Sequence, residues 1–159
     1  MKLNKILKNA FLVTVACLVL SACATSKKST GQMQGDVYTG TDTVEYLADG
    51  VPDRVFFATN ESILTTASRE TLRAQAGWLR KNPSINVVLE GHADERGTRE
   101  YNLALGERRA NAAKDYLMTY GISENRISVI SYGKERPVDS GSNPLAWSKN
   151  RRFVTVKAN

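Results

Sequence analysis

One long helical pattern, flanked by two short strand patterns, dominates the second half of the chain. Apolar and small residues recur there at steps of three and four, at Leu103, Gly106, Ala110, Ala113, Leu117 and Tyr120. This spacing puts them on one face of a helix that starts after Gly97 and stops near Gly121. A helix with one apolar face must bury that face against another layer, so the pattern predicts a layered domain.

Strand patterns supply the second layer. Four segments are rich in β-branched, aromatic or alternating apolar residues, namely residues 54–57, 85–90, 127–132 and 152–156. A further helix is expected from Thr65 or Thr66 to about Lys81, because Pro83 blocks its continuation. A short turn is expected around Trp147. The order βαβα followed by two strands predicts an α/β (α+β) fold, a two-layer sandwich in which helices cover a mixed sheet.

The first 22 residues have the composition of a secretory signal. Three lysines precede an apolar run of about eleven residues, roughly half of the ~20 that a membrane-spanning helix needs. The run ends in Leu20-Ser21-Ala22-Cys23, which resembles the lipobox of bacterial lipoproteins, where the Cys is acylated and becomes the first mature residue. We therefore predict a lipoprotein signal peptide at residues 1–22 and lipidation of Cys23. The alternative is an ordinary signal peptide cut near Ala22.

Cleavage would change both the cysteine content and the charge of the chain. Cys17 lies in the segment to be removed, so the mature chain would keep one cysteine and could form no internal disulfide. Loss of Lys2, Lys5 and Lys8 lowers the net charge from +6 to about +3, a weak positive field. No nucleic-acid partner is expected on that basis.

A polar segment follows the predicted cleavage site. Residues 24–49 are rich in Ser, Thr, Gly, Gln, Lys and Asp and contain few large apolar side chains. We therefore predict that residues 23–50 form a flexible tether carrying the lipid, and that the folded domain spans residues 51–159. Val44, Tyr46 and Leu47 could either pack on the domain or stay with the tether.

The most informative run for function is Gly91-His92-Ala93-Asp94-Glu95-Arg96-Gly97, between a predicted strand and a predicted helix. Free backbone N–H groups and the positive end of the helix dipole suit an anionic group at such a junction. Arg109 lies about three turns into the helix, on a different face from the apolar stripe. Asp94, Arg96 and Arg109 could then converge on one ligand.

The stretches GHADERGTREYNLALGERRA, SYGKERP and SKNRRF resemble the OmpA-like peptidoglycan-binding domains, a family that includes lipoproteins of the Tol system. The resemblance runs from about Pro52 to the C-terminus. It implies that the domain binds peptidoglycan through the diaminopimelate of the stem peptide, whose free end is a zwitterion. It assigns Asp94 to the ammonium and Arg109 to the carboxylate, with Arg96, Asn102 and Leu105 at neighbouring positions. Opposite charges at fixed spacing can read such a group, because Arg grips a carboxylate bidentately.

One position departs from the family pattern. The family commonly has an aromatic residue and an acid after the first strand, and Thr59 and Asn60 match those positions here. Asn60 is kept as a candidate ligand-binding residue, although its amide carries no charge and this edge of the site is expected to be weaker.

Other roles compete for these side chains. Asp94 could cap the second long helix, and Arg109 could pair with Glu107 or Asp115 or be solvated. His92, the only histidine, is expected to be a structural hydrogen-bonding residue rather than a catalyst.

Two other functions are alternatives to wall binding. A wall hydrolase is disfavoured because a single His cannot complete a zinc site or mark a serine triad, so no enzyme activity, metal or cofactor is expected. A periplasmic scaffold is the second alternative. A scaffold function is compatible with peptidoglycan binding, since the resemblance implies a TolB-like periplasmic protein of the Tol system as partner. The expected location is the outer membrane, with the domain in the periplasm and the acyl chains in the membrane.

Overall fold

A computed structural model of the chain describes residues 33–158. The predicted signal peptide and Cys23 therefore lie outside the described residues. The strands are β1 (Met33–Gln34), β2 (Val37–Tyr38), β3 (Tyr46–Ala48), β4 (Val51–Pro52), β5 (Arg54–Phe56), β6 (Val87–His92), β7 (Ile127–Gly133) and β8 (Arg152–Lys157). The helices are α1 (Thr66–Lys81), α2 (Arg99–Thr119) and α3 (Pro144–Asn150), with a 3-10 turn at Glu124–Arg126.

The main sheet has four strands in the order β5-β8-β6-β7. β6 and β7 are parallel, and β8 runs antiparallel to both β5 and β6. The predicted mixed sheet is therefore confirmed. Its strands are those expected from the sequence, although β6 begins at Val87 rather than at residue 85.

The core lies between one face of this sheet and the helices α1 and α2, as a two-layer sandwich requires. Its buried apolar side chains are Val55, Phe57, Leu72, Ala76, Leu79, Val87, Leu89, Ala110, Ala113, Leu117, Ile122, Ile127 and Phe153. In the predicted stripe of α2, Leu103 and Tyr120 are only half-buried, and Asn102 and Leu105 are buried beside it. The buried face of α2 is therefore wider than the predicted stripe at the start of the helix.

Local signals set the helix ends. The Thr65 hydroxyl accepts a hydrogen bond from the Ser68 N–H and caps α1, and the Thr98 hydroxyl accepts one from Tyr101 and caps α2. Helix α2 ends before Gly121, whose φ of 82° suits the left-handed residue that commonly closes a helix.

The segment before β5 is more ordered than its composition predicts. Strands β1 and β2 form one hairpin and β3 and β4 another, and Tyr38 and Leu47 are buried. The Tyr38 ring packs edge-on against Phe56 with 4.8 Å between ring centroids. The prediction of a flexible tether over residues 23–50 is therefore wrong for residues 33–50. The reason is that Tyr38 and Leu47, two large side chains in a polar segment, are buried against apolar surface of the domain. Of the residues left open, Leu47 packs and Tyr46 remains exposed.

Within residues 33–158, no helix is both long and apolar enough to cross a membrane.

Candidate functional site

The ends of three strands meet at one edge of the main sheet. β5 and β6 both run antiparallel to β8, so the residues after β5 and after β6 lie at the same edge as the start of β8. The loop after β6 leads into α2, and Arg151 stands immediately before β8. This topology brings Asp94, Arg109 and Arg151 together from distant parts of the sequence.

Asp94 is 7% exposed and is surrounded by guanidinium groups. Its Oδ1 accepts hydrogen bonds from the Arg96 backbone N–H at 3.1 Å and from Arg96 Nε at 3.0 Å. Its Oδ2 accepts from Arg96 Nη2 at 2.7 Å and from Arg151 Nη1 at 3.2 Å. Burial opposes the ionised form, but the bonds from Arg96 and Arg151 outweigh it and lower the pKa of Asp94 below its ordinary value. Asp94 is thus a buried carboxylate and does not cap α2, since Thr98 does.

Arg109 is fully buried, contrary to the prediction that it lies on a separate face from the apolar stripe. Its guanidinium donates to three backbone carbonyl oxygens, of Glu61 at 2.8 Å, His92 at 2.7 Å and Ala58 at 3.1 Å. These bonds, rather than pairing with Glu107 or Asp115, hold the side chain inside. Burial and the nearby Arg151 charge lower the pKa of Arg109 to about 10, so it stays protonated at neutral pH.

Arg109 therefore ties the loop after β5 to the end of β6. The guanidinium has five N–H groups, and three are used in these bonds. Because the Arg109 guanidinium is buried, its positive charge acts on the surface of the site from inside the domain.

Arg151 was not predicted from the sequence as a residue of the site. Arg151 is 2% exposed and links Asp94 to two other segments. Its guanidinium donates to the carbonyl oxygen of Phe57 at 3.1 Å and to that of Asp36. Arg151 belongs to the motif SKNRRF, which is the sequence signal that could have identified it as a residue of the site.

The surface of the site is a cleft of about 270 Å³ lined by Thr59, Asn60, Arg96, Gly97 and Tyr101. The Arg96 guanidinium lies 4.3 Å from the centroid of the Trp147 ring and donates from Nη2 to the Thr59 hydroxyl at 3.3 Å. The Trp147 indole N–H in turn donates to Glu95 at 2.8 Å. Asn60 has a φ of 58°, a left-handed conformation that Asn tolerates better than most residues.

The other two candidate residues lie behind the cleft. The Asn102 side chain is 2% exposed and donates to the carbonyl oxygen of Arg96 at 2.8 Å, so it holds the loop in place. Leu105 is 3% exposed on α2 and is not among the cleft-lining residues. Among the six candidate residues for peptidoglycan, then, Asn60 and Arg96 line the cleft and the others support it or lie beneath it.

A second carboxylate, not expected from the sequence, borders the cleft. Asp36, in the turn of the β1–β2 hairpin, accepts a hydrogen bond at Oδ2 from the Thr59 backbone N–H at 2.6 Å. Hydrogen bonds from the Thr59 hydroxyl and backbone N–H, together with the nearby Arg151 charge, lower the pKa of Asp36 below its ordinary value. The site therefore combines the guanidinium groups of Arg96, Arg109 and Arg151 with the carboxylates of Asp36, Asp94 and Glu95, so charges of both signs surround the cleft.

His92 is 2% exposed on β6, and neither ring nitrogen has a hydrogen-bond partner within residues 33–158. The prediction that it is a structural hydrogen-bonding residue is therefore wrong for its side chain, although its carbonyl oxygen accepts from Arg109. Burial, with the charges of Arg152 and Arg136, lowers the pKa of His92 to about 3, so the imidazole is neutral at pH 7. Across the described part of the chain, no group of three His, Cys, Asp or Glu residues could hold a metal ion.

Comparison with known proteins gives consistent results. Residues 56–151 match the model of the OmpA family. The peptidoglycan-associated lipoprotein of Brucella melitensis is 44% identical over a 144-residue match that covers 87% of this chain and 85% of that protein. The peptidoglycan-associated lipoprotein of Rhizobium meliloti is 43% identical over 160 residues, covering 98% of this chain and 91% of the relative.

Solved structures agree with the fold. The crystal structure of the peptidoglycan-associated lipoprotein from Burkholderia pseudomallei matches with a TM-score of 0.65 at 34% identity, covering 67% of this chain and 90% of that one. The C-terminal domain of Helicobacter pylori MotB matches with a TM-score of 0.63, covering 67% of this chain and 84% of that one. At 19% identity the MotB match concerns the fold alone.

Proposed function

The chain belongs to the OmpA family, and we propose that it is an outer-membrane lipoprotein that binds peptidoglycan non-covalently through the cleft at the start of α2. Two lines of support meet here. Relatives at 43–44% identity over most of their length are named peptidoglycan-associated lipoproteins. The cleft independently presents the Arg96 guanidinium among carboxylates, a mixed charge pattern suited to a zwitterionic ligand.

The observation that carries the proposal is the arrangement of three guanidinium groups about the Asp94 carboxylate. Arg96 is the exposed member, with 42% of its side chain accessible, whereas Arg109 and Arg151 are buried. A carboxylate entering the cleft would contact Arg96 directly. It would also be attracted by the buried charges of Arg109 and Arg151. Low access of water strengthens such interactions.

The ligand in this proposal is the zwitterionic end of diaminopimelate in the stem peptide. Arg109 favours its carboxylate through its charge alone, because the side chain is fully buried and does not line the cleft. Asp94 would receive the ammonium only if the ammonium displaced one of the hydrogen bonds that this carboxylate already accepts. A carboxylate has about four acceptor positions, and Arg96 and Arg151 already donate four hydrogen bonds to it.

The remaining parts of the proposal concern the membrane and a protein partner. Acyl chains on Cys23 would hold the chain in the outer membrane with the domain in the periplasm, because each buried methylene contributes ~0.8 kcal/mol. A TolB-like periplasmic protein of the Tol system would be the protein partner, giving the chain a part in envelope integrity and cell division. The family membership also agrees with the expectation that the chain is a binding protein and not an enzyme.

Co-sedimentation with purified sacculi tests the function. The full-length chain in detergent should pellet with sacculi whose stem peptides contain diaminopimelate, and soluble diaminopimelate stem peptide should release it. Sacculi with lysine at that position should retain much less. Equal pelleting on both walls would refute the diaminopimelate assignment, and released wall fragments without pelleting would favour a hydrolase.

A further inference from the structure

We propose that Asp36, from the segment before the region that matches the OmpA family, supplies the carboxylate that receives the ammonium group of the ligand. This inference rests on the proposed function and assigns one charge of the ligand to a residue outside residues 56–151, the region that matches the OmpA family. Three features of the site support it.

The first feature is the fixed position of Asp36. It stands with Gly35 in the two-residue turn between β1 and β2, where Gln34 pairs with Val37. The Thr59 N–H binds its carboxylate, and the Arg151 guanidinium binds its carbonyl oxygen. The buried Tyr38 ring, two residues further on, holds the hairpin to the main sheet. The hairpin is thus attached at both the site and the core.

The second feature is the difference in access between the two acids of the site. The Asp94 side chain is 8% exposed and its acceptor positions are filled, whereas 48% of the Asp36 side chain is exposed. The Thr59 backbone N–H donates to Asp36 Oδ2, and the Thr59 hydroxyl also hydrogen-bonds this carboxylate. A carboxylate has about four acceptor positions, so a side chain that is 48% exposed can still accept from an incoming cation.

The third feature is the spacing of opposite charges. Asp36 Oδ2 lies 4.0 Å from Arg151 Nη2, and the Asp36 charge also acts on Arg96. The hydrogen bond from Thr59 places the acid beside a residue that lines the cleft. A carboxylate next to guanidinium groups presents complementary charges to both ends of an amino-acid head group.

Asp36 also lies beside the part of the loop after β5 that lines the cleft. Thr59 and Asn60 form that part of the loop, and neither carries a charge. The hairpin brings a carboxylate to the same edge of the cleft from 23 residues earlier in the chain.

Binding of two stem peptides by the full-length chain in detergent tests the proposal. One peptide carries diaminopimelate. The other carries 2-aminopimelate in its place, which keeps the distal carboxylate and lacks the distal ammonium. The variant Asp36→Asn keeps an oxygen for the Thr59 N–H and removes the charge. It should weaken binding of the diaminopimelate peptide about 10-fold or more and leave binding of the aminopimelate peptide unchanged.

A matched control is Asp49→Asn, in the exposed turn between β3 and β4, which removes the same charge and should bind both peptides as the wild type does. Unchanged or tighter binding of the diaminopimelate peptide by Asp36→Asn would overturn the proposal, and tighter binding would mean that Asp36 competes with the ligand. An equal loss for both peptides would also overturn it, as a displaced hairpin would cause. If the wild type binds neither peptide, the proposed function itself fails.

Discussion

Gly91 of β6 and Gly106 of α2 are in backbone contact. A Cβ built on Gly91 would overlap the carbonyl group of Gly106, and one built on Gly106 would lie 2.9 Å from the carbonyl oxygen of Gly91. Asp94 follows Gly91 by three positions, and Arg109 follows Gly106 by three. The close crossing of strand and helix therefore sets the distance between the loop that carries Asp94 and the helix face that carries Arg109.

The variant Gly91→Ala should destabilise the domain by about 3 kcal/mol or more, because the added methyl group meets backbone that cannot rotate away. Urea unfolding of the full-length chain in detergent measures the change. Gly77→Ala is the control. A Cβ at Gly77, in the middle of α1, meets nothing within 4 Å, so this variant should gain about 0.5–1 kcal/mol. Equal stability of the two variants would contradict the contact.

Removal of His92 should change how stability depends on pH. Its pKa is about 3 in the folded chain and 6.5 as the ordinary value, so the unfolded chain binds an extra proton between these values. The wild type should therefore lose roughly 1.4 kcal/mol of His92-dependent stability for each pH unit below 6.5, levelling off near pH 3. Comparison of wild type and His92→Gln by urea unfolding from pH 7 to pH 3.5 isolates this slope. Parallel curves would show that His92 is not buried in its neutral form.

Asp94→Asn should be costly at neutral pH. The amide leaves the guanidinium groups of Arg96 and Arg151 without their buried counter-charge, and the expected loss is about 3 kcal/mol. Because the folded-state pKa of Asp94 is lowered, its stabilising effect is present above the ordinary value of 3.8 and is lost as the pH falls through the folded-state value. The difference between variant and wild type should then shrink in strong acid. A constant difference from pH 7 to pH 2.5 would contradict this account.

Arg109→Lys should lower both stability and sacculus binding. A lysine ammonium cannot bond the carbonyl oxygens of Glu61, His92 and Ala58 in the geometry of a guanidinium, and the expected loss of stability is about 2–4 kcal/mol. The neighbouring Arg108→Lys is the control, since Arg108 is exposed and should change neither property. Thermal unfolding and co-sedimentation measure the two effects. Full stability with lost binding would mean that Arg109 acts on the ligand alone.

Cys23→Ser should remove the lipid anchor. The chain should then be either cleaved and soluble or left uncleaved. Cys17→Ser provides the matched control, because Cys17 lies in the segment predicted to be removed. Fractionation of membranes with detection of the processed mass measures the outcome. A Cys23→Ser chain that is cleaved and still sediments with membranes would refute the lipid anchor.

Features that depend on neighbours in sequence were predictable. Thr65 at the start of α1, Pro83 and Gly121 beyond the helix ends, and the alternation in β6 act within a few residues, so local patterns predicted the elements of the sandwich. They did not identify Thr98 as the cap of α2, for which Asp94 was the candidate. The polar junction from Gly91 to Gly97 likewise predicted the position of the candidate site, because a strand end followed by a helix start can be recognised in the sequence alone.

Tertiary structure decided the rest, since it joins residues far apart in the chain. The burial of Arg109 depends on carbonyl groups 17 to 51 positions away, and Asp36 reaches Arg151 across 115 positions. The order of residues 33–50 depends on apolar surface that exists only after the sheet has formed. Local patterns cannot reveal such contacts, because desolvation and long-range hydrogen bonding are properties of the assembled surfaces and not of the neighbouring residues.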